Sequence, residues 1–258
     1  MNTKIREYLD IIYEKHLLRN ISHVPNHIAI IQDGNRRFAK EYGLEVSTGH
    51  RLGAQTTEKV LEWAQEIGVH HMTLYCFSTE NFSRSKSELH ELFELFTEKA
   101  VKAGSDERVH KNKIRIQMVG DRNLVPADLL EKIERVEELT KDYEHFTINL
   151  AIAYGGRNEI LCATRSILRD IREKRINTED INYDTIEKSL YHTVNIPKVD
   201  LIIRTGNEKR TSNFLPWLAN GNESAVYFCA PYWPLFRKID LLRGVRLYDQ
   251  RYREGHFP

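Results

Sequence analysis

Short apolar runs alternate with longer stretches of helical periodicity along most of the chain. Consecutive apolar positions rich in β-branched and aromatic residues are typical of strands buried on both faces of a parallel sheet. Helices between such strands cover the two faces of the sheet. The pattern therefore predicts an α/β fold, a single domain whose mostly parallel sheet of about six strands is flanked by helices. The predicted strands are HIAIIQ (27–32), HMTLYCF (71–77), KIRIQMVG (113–120), FTINLAIA (146–153), DLIIRTG (200–206) and AVYFCA (225–230), and the predicted helices lie near 50–67, 87–103, 126–141, 157–173, 184–191 and 240–252.

Residues 1–24 have a pattern of their own. Apolar residues at helical spacing, beginning with Ile5 and Leu9, are set among charged ones, which predicts an amphipathic helix that ends before Pro25. Packing of this helix on the domain's own surface is the simpler interpretation, while a peripheral membrane contact stays open as a second one. The main domain is predicted to span 25–258.

Composition narrows the class of protein. With 38 Lys and Arg against 37 Asp and Glu, the formal charge is +1, which argues against a nucleic-acid binder with a broadly basic face. Cys76, Cys162 and Cys229 are scattered without CxxC spacing, so we expect reduced thiols in a cytoplasmic protein rather than disulfides or a zinc site. No apolar stretch is long enough to span a bilayer.

The loop QDGNRRFAK follows the first predicted strand, at the edge where parallel sheets bind ligands. Gly34 permits close backbone approach, and a helix that begins after it would direct free N–H groups at an anion. Arg36 and Arg37 would add charge-assisted hydrogen bonds, whereas Asp33 would repel an anion unless a cation lies between them. A phosphate with Mg²⁺ bridged to Asp33 satisfies all of these groups. An ordinary D-G turn with solvated arginines is the alternative interpretation.

The loop FSTENFSRSKSE (77–88) follows the second predicted strand and mixes polar and aromatic residues. An arginine beside aromatic rings suits a substrate with an apolar body and an anionic head. The same stretch also reads as the start of a helix, with Ser85 or Ser87 as the N-cap. The residues that suggest a substrate site are Phe77, Ser78, Glu80, Asn81, Phe82 and Arg84.

The loop IIRTGNEKRTSNF (202–214) carries a second anion-binding pattern. Arg204 and Arg210 flank Gly206, and Ser212 follows; arginine forks match phosphate oxygens, and glycine-rich backbone can surround them. Alone, a solvated basic loop would be the favoured interpretation. The three loops together indicate two phosphorylated ligands, at least one of them apolar elsewhere.

Several common motifs are missing. The sequence contains no GxxxxGK[ST] and no GxGxxG, so neither a P-loop nor a dinucleotide site is indicated. It also contains no Asp-Asp pair. The aspartate-rich DDxxD motif of the all-helical trans-prenyltransferases is therefore absent.

HIAIIQDGNRRFAK, FSTENFSRSKSE and LIIRTGNEKRTSNF resemble the signature motifs of the cis-prenyltransferases, the family of undecaprenyl and dehydrodolichyl diphosphate synthases. The order and spacing of the motifs also match, over residues from about 25 to 250. The DGNRRFA form resembles archaeal and eukaryotic members more than bacterial ones. Further matching stretches are GH at 49–50, GD at 120–121, AYGGRNEI at 153–160 and YWP at 232–234.

The resemblance implies a Mg²⁺-dependent enzyme that condenses an allylic prenyl diphosphate with isopentenyl diphosphate and forms a Z double bond. It also implies a hydrophobic tunnel for the growing isoprenoid, a homodimer, and a catalytic domain over 25–258.

The resemblance further implies roles for individual residues. Asp33 would hold Mg²⁺ and the diphosphates, and Asn81 would help in proton removal or positioning. The allylic diphosphate would be surrounded by Gly34, Asn35, Arg36, Arg37, Phe38 and His50. The wall beside Asn81 would comprise Phe77, Ser78, Thr79, Glu80, Phe82 and Arg84. The acceptor's diphosphate would be held by Arg204, Arg210, Thr211 and Ser212.

The sequence departs from the family pattern around both diphosphate sites. Val46 stands where the family commonly has a diphosphate-binding arginine, and Asn207 and Lys209 replace the usual residues of the third loop. Glu223 is the candidate for a second Mg²⁺ ligand, although counting back from Tyr227 places an alanine there instead. These departures leave two alternatives open. One is an unusual acceptor, such as another allylic diphosphate or an alcohol-bearing lipid, and the other is a partner subunit of a heteromeric synthase.

Overall fold

A computed structural model describes residues 3–191, 196–219 and 224–256, with side chains from residue 8 onward. The six predicted strands form one sheet in which every pairing is parallel, in the order β3-β4-β2-β1-β5-β6. The predicted α/β domain is therefore confirmed. The strands are β1 His27–Ile31, β2 His71–Ser78, β3 Ile114–Val119, β4 Phe146–Tyr154, β5 Leu201–Arg204 and β6 Ala225–Phe228.

Helices connect the strands, and all six stretches predicted as helices are helical. The prediction of a helix directly after Gly34 is also confirmed. The five-residue helix between β2 and β3 was not predicted, because it is too short to show a period. The helices are α1 Thr3–Arg19, α2 Asn35–Glu41, α3 Val46–Glu66, α4 Lys86–Ser105, α5 Glu107–Lys111, α6 Ala127–Thr140, α7 Gly156–Arg172, α8 Tyr183–Ser189 and α9 Lys238–Arg253.

The central strand β1 shows why these runs are largely apolar on both faces. Alternate side chains of a strand point to opposite faces. Ile28 and Ile30 belong to the core cluster that includes residues of α3 and α9, whereas Ala29 and Ile31 pack with the segment around Phe214 on the other face. All five residues of β1 are buried.

The N-terminal helix α1 packs on the domain's own surface. Leu17 is fully buried against Ile239 and Leu242 of α9. The division of the chain at residue 24 stays a prediction. None of the described helices combines the length and the apolar character needed to cross a bilayer.

Strand order fixes where a ligand can bind. β1 lies between β2 and β5. From β1 the chain continues towards β2 on one side, and from β5 towards β6 on the other, so the order of the strands reverses between these two neighbours. In open parallel sheets, ligands bind at the carboxyl ends of the strands at such a point.

Candidate active site

Asp33 and Arg204 meet at this reversal point. Asp33 follows β1, and Arg204 is the last residue of β5. The Arg204 guanidinium donates from Nη2 to Asp33 Oδ2 at 2.8 Å, and Arg37 Nη2 lies 3.0 Å from Asp33 Oδ1. The side chain of Arg204 is 5% exposed and that of Asp33 is 29% exposed. The carboxylate thus lies between two guanidiniums at the edge of the sheet.

Gly34 allows the chain to turn from β1 into α2. Its φ is 112°, a left-handed conformation that favours glycine, and a Cβ there would lie 2.7 Å from Cδ1 of Tyr232. The ring of Tyr232 also lies under the guanidinium of Arg37, with 5.5 Å from Cζ to the ring centroid. This close packing places the first turn of α2 beside Asp33.

Arg204 also organises the third loop. Its Nη1 donates to the backbone oxygen of Arg210 at 2.5 Å and to Ser212 Oγ at 2.5 Å. Glu208 bridges two further arginines, with its carboxylate 2.9 Å from Arg210 Nη1 and 3.6 Å from Arg37 Nη1. One guanidinium therefore joins the loop after β5 to the carboxylate after β1.

The second loop is fixed by local hydrogen bonds. The backbone N–H of Ser78 donates to Asn81 Oδ1 at 3.1 Å, and the Ser78 side chain accepts from the backbone of Asn81 in return. Ser85 is the N-cap of α4 and accepts from the N–H of Glu88 at 3.3 Å. The helix start and the polar loop that the sequence indicated are thus both present.

Glu88 joins three residues of the predicted donor site. Its Oε1 accepts from Arg84 Nη1 at 2.9 Å and lies 3.4 Å from His50 Nε2 and 3.5 Å from Arg36 Nε. Burial, together with the charge of Arg84, lowers the pKa of His50, so its imidazole is neutral at pH 7. Burial also lowers the pKa of Arg84, although the charge of Glu88 opposes this effect.

These loops line one cleft of about 1320 Å³ at the carboxyl edge of the sheet, which we call the diphosphate cleft. Its lining contains seven cationic side chains against two carboxylates, those of Asp33 and Glu80. The cationic residues are Arg36, Arg37, Lys40, Arg84, Arg157, Arg204 and Arg210. Such an excess of positive charge in a concave site suits a polyanion.

Most of the predicted site residues line this cleft, but four of them do not. Phe77 and Phe38 are buried in the core, Phe82 packs edge-on against Phe77 at 4.9 Å between centroids, and Thr79 donates to Glu80. These four do not line the diphosphate cleft. The predicted residues that do are Asp33, Gly34, Asn35, Arg36, Arg37, His50, Ser78, Glu80, Asn81, Arg84, Arg204, Arg210, Thr211 and Ser212.

Sequence reasoning missed several residues of the site. Lys40 lines the cleft, and Glu88 holds Arg36 and Arg84 beside it. Both lie inside the motifs already noted, but single charged residues on helices gave no sign of either role. Arg157 lies at the start of α7 within AYGGRNEI, which could have drawn attention to it. Tyr75 stacks on Phe214, with centroids 4.4 Å apart, and both line the cleft.

A second cavity of about 560 Å³ lies between α3, α4 and the sheet, and we call it the tunnel. It adjoins the diphosphate cleft, because five residues line both cavities: Gln32, Asn35, His50, Cys76 and Leu92. Most of its interior surface is apolar. The apolar lining includes Leu61, Leu74, Leu95, Phe96, Ala100, Ala103, Val109, Ile116, Ile133, Val136, Ile148, Leu150 and Ile152.

The donor set of the diphosphate cleft fits Mg²⁺ that binds together with a diphosphate. In the described residues, no three His, Cys, Asp or Glu side chains are grouped to hold a metal ion by themselves. Mg²⁺ commonly takes one or two protein carboxylates and completes its shell with phosphate oxygens and water. Asp33 offers such a carboxylate among the arginines. The other predicted ligand, Glu223, lies outside the described residues.

Comparisons with known proteins agree with this geometry. A family model described as putative undecaprenyl diphosphate synthase matches residues 31–255. A Methanosarcina mazei protein named tritrans,polycis-undecaprenyl-diphosphate synthase (geranylgeranyl-diphosphate specific) is 50% identical over 251 residues, covering 96% of this chain and 83% of that protein. An Archaeoglobus fulgidus protein of the same name is 48% identical over 247 residues, covering 95% and 97%.

Solved structures give the same result. Lavandulyl diphosphate synthase from Lavandula x intermedia, in complex with dimethylallyl diphosphate, matches with a TM-score of 0.82 at 31% identity, covering 89% of this chain and 97% of that one. A probable undecaprenyl diphosphate synthase from Campylobacter jejuni matches with a TM-score of 0.70, also at 31% identity and with the same shares of the two chains covered. The protein is a prenyltransferase that belongs to the cis-prenyltransferase family.

Proposed function

We propose that the protein is a Mg²⁺-dependent synthase that condenses an allylic prenyl diphosphate with isopentenyl diphosphate and builds a Z-polyprenyl diphosphate. The observation that carries the proposal is the contact between a strongly cationic cleft and an apolar tunnel. The cleft suits the diphosphate head of the substrate, and the tunnel suits its isoprenoid tail. The names of the archaeal relatives support geranylgeranyl diphosphate as the starter.

The allylic diphosphate is proposed to bind between α2 and the second loop. Arg36, Arg37 and Arg84 line the cleft there, and His50 lies where the cleft adjoins the tunnel. Because His50 is neutral, its ring donates or accepts a hydrogen bond without adding charge. Guanidiniums that match phosphate oxygens would hold the diphosphate and stabilise the charge that it gains on leaving.

The acceptor's diphosphate is proposed to bind at the third loop, through Arg210, Thr211 and Ser212 with Arg204. The hydrogen bonds from Arg204 to Ser212 and to the Arg210 backbone hold this loop against the sheet. In this proposal the donor binds beside Arg37 and the acceptor beside Arg204, the two arginines that contact the Asp33 carboxylate.

Mg²⁺ would be held by Asp33 together with diphosphate oxygens. The chemistry that the bound ion supplies is neutralisation of the charge on the leaving diphosphate. The contacts of Asp33 with Arg37 and Arg204 keep its carboxylate in place for this role.

The reaction breaks the bond between the allylic carbon and a diphosphate oxygen. The alkene electrons of the acceptor then form the new carbon–carbon bond, and loss of a proton restores a double bond. Asn81 accepts from the Ser78 N–H through its amide oxygen, which supports a positioning role rather than that of a base. The apolar lining of the tunnel keeps water from the cationic carbon.

Assembly and location are part of the proposal. Apolar side chains on α7 and α8 are exposed, among them Leu161 (46%), Leu168 (60%) and Tyr183 (77%), which supports a homodimer formed through this face. The free thiols of the three cysteines support a cytoplasmic location. The exposed apolar side chains of α1, such as Tyr8 and Ile11, support a peripheral membrane contact.

The test uses purified protein with Mg²⁺, labelled isopentenyl diphosphate and a series of allylic diphosphates from dimethylallyl to geranylgeranyl. We expect Z-polyprenyl products, with the highest kcat/KM for geranylgeranyl diphosphate, and loss of turnover when a chelator removes Mg²⁺. Incorporation of a second allylic diphosphate or of an alcohol-bearing lipid in place of isopentenyl diphosphate would instead identify the unusual acceptor. Turnover that appears only with an added second subunit would identify a heteromeric synthase.

A further inference from the structure

Three glutamates face the tunnel from α3. The face of α3 that lines the tunnel follows helical spacing from His50 through Gly53 and Ala54, and continues with Glu58, Glu62 and Glu66. Residues four apart lie on one face of a helix. A wall that only holds an isoprenoid would be apolar throughout, so these carboxylates call for a separate explanation.

Glu58 is paired with lysines of the facing helix α4. Lys99 Nζ lies 2.9 Å from Glu58 Oε1, and Lys102 Nζ lies 3.1 Å from Glu58 Oε2. Partial burial acts to raise the pKa of Glu58, but the hydrogen bonds from Lys99 and Lys102 outweigh it and lower that pKa. We call these three side chains the ionic clasp.

Further ion pairs follow the clasp towards the end of the tunnel that lies away from His50. Arg108 of α5 lies 2.6 Å from Glu62 Oε1 and 2.7 Å from Asp106 Oδ2. Glu66 pairs with Lys238 of α9. Of these five further charged residues, all except Lys238 line the tunnel, as do the three residues of the clasp. The charged residues that line the tunnel are thus Glu58, Glu62, Glu66, Lys99, Lys102, Asp106 and Arg108.

The clasp lies part of the way along the tunnel. At 1.5 Å per helical residue, Glu58 is about 12 Å along α3 from His50, and Glu66 is about 24 Å from it. The side chain of Glu58 is 33% exposed and that of Lys99 is 31% exposed, so the pairs reach from the tunnel wall to solvent. Ion pairs at such half-exposed positions are weak and can open without unfolding.

We propose that the ionic clasp holds α3 and α4 together along one side of the tunnel and so limits the length of the isoprenoid that the tunnel accepts. A growing tail that has filled the tunnel would have to separate Glu58 from Lys99 and Lys102 to extend between the helices. Release of the product then competes with that opening. Product length thus depends on a polar contact in the wall as well as on apolar side chains. This inference rests on the proposed function.

The test compares product lengths by mass spectrometry, with geranylgeranyl diphosphate as starter and excess isopentenyl diphosphate. In Glu58→Gln the tail passes between α3 and α4 more easily, so we expect the mean product length to rise by one or more isoprene units. The triple charge swap Glu58→Lys, Lys99→Glu, Lys102→Glu should restore the original length. High salt should lengthen the products of the native protein but not those of Glu58→Gln.

Two control variants help to distinguish failure of the clasp proposal from failure of the proposed function. Glu98 of α4 pairs with Arg51 of α3 at 2.9 Å, and neither residue lines the tunnel. Glu98→Gln removes this pair and should leave product length unchanged. Ala103→Phe narrows the tunnel and should shorten the product. If the native protein makes no prenyl product, the proposed function fails. If it does, and Glu58→Gln gives the same or shorter products, or Glu98→Gln lengthens them as much, the clasp proposal is wrong.

Discussion

Arg204 and Asp33 are 171 residues apart in the chain and form a 2.8 Å ion pair at the carboxyl edge of the sheet. The pair exists because β1 and β5 are neighbours, with Ile31 opposite Arg204 in the register. It joins the two loops that we propose to hold the donor and the acceptor. Removing either side chain should therefore affect chemistry more than folding.

Asp33→Asn keeps the size of the side chain and its ability to accept a hydrogen bond from Arg204, but it removes the charge that Mg²⁺ requires. We expect kcat to fall by at least ~100-fold, as for loss of a main electrostatic contact in other enzymes. Steady-state kinetics together with circular dichroism would show this. Asp128→Asn, on the exposed surface of α6, is the matched control and should retain full activity. Retained turnover in Asp33→Asn would contradict the catalytic assignment.

Arg204→Lys tests the fork geometry of the guanidinium. Arg204 donates to Asp33, to Ser212 and to the backbone of Arg210, and an ammonium cannot satisfy all three in the same directions. The third loop should loosen, and KM for isopentenyl diphosphate should rise by roughly tenfold or more, in line with about 1.5–3 kcal/mol for a charged hydrogen bond. An unchanged KM for the acceptor would argue against the acceptor site at this loop.

Glu88→Gln tests a positioning residue that does not itself bind substrate in our proposal. Its carboxylate holds Arg84, His50 and Arg36, and the loss of a charged hydrogen bond should lower kcat/KM for the allylic diphosphate by ~10–100-fold. Because Glu88 acts to raise the pKa of His50, that pKa should fall further in the variant, which an NMR titration of His50 would detect. Glu91→Gln, exposed one turn later on α4, should change neither quantity. A purely structural role for Glu88 would leave the His50 titration unmoved.

The six strands could be predicted from the sequence because each is a short run of mostly apolar residues. The central strand β1 is buried at all five positions, whereas the edge strand β6 is buried only at Ala225. The loop after β1 could be interpreted for a similar reason, since Asp33, Arg36 and Arg37 are close together in the chain. The Asp33–Arg204 pair could not be predicted, because the order of strands in the sheet decides which loops meet, and hydrophobic periodicity does not encode that order.

The tunnel could not be located from the sequence either. Leu95, Phe96 and Ala100 form an apolar stripe on α4, and such a stripe looks the same whether it packs against another helix or lines a cavity. Phe77 illustrates the opposite case. Its position in the second loop motif suggested a substrate contact, but the structure places it in the core against Phe82 and Phe93. Burial of an aromatic residue depends on tertiary packing that a motif does not specify.

Gly34→Ala should damage both stability and activity. Gly34 has a left-handed φ of 112°, and a Cβ would also contact Tyr232 at 2.7 Å, so we expect a loss of roughly 2–5 kcal/mol in the free energy of unfolding. Gly43 also has a left-handed φ, of 63°, but open space around it. Gly43→Ala should therefore cost only about 1–2 kcal/mol. Urea unfolding would measure both, and equal losses would show that the contact with Tyr232 does not matter.

His27 should make the stability of the fold depend on pH. Complete burial lowers the pKa of His27 from 6.5 to about 4. Its Nδ1 donates to the backbone oxygen of Pro197 at 2.8 Å, and Nε2 accepts from the Thr73 hydroxyl at 2.7 Å, so the neutral ring is fully bonded. Between pH 6.5 and 4, His27 is protonated in the unfolded chain but stays neutral in the folded one. The stability contributed by neutral His27 is therefore complete above pH 6.5 and is lost as the pH falls through 4.

The size of this loss follows from linkage, at about 1.4 kcal/mol per pKa unit, and comes to about 3 kcal/mol between pH 6.5 and 4. Urea unfolding of the native protein and of His27→Gln at several pH values would measure it. The variant should be less stable at pH 7, since two buried hydrogen bonds are disturbed, but its stability should change less steeply below pH 6.5. His90→Gln, exposed on α4, should keep the slope of the native protein. Identical slopes for the native protein and His27→Gln would show that His27 takes up its proton in the folded state and that burial does not control its pKa.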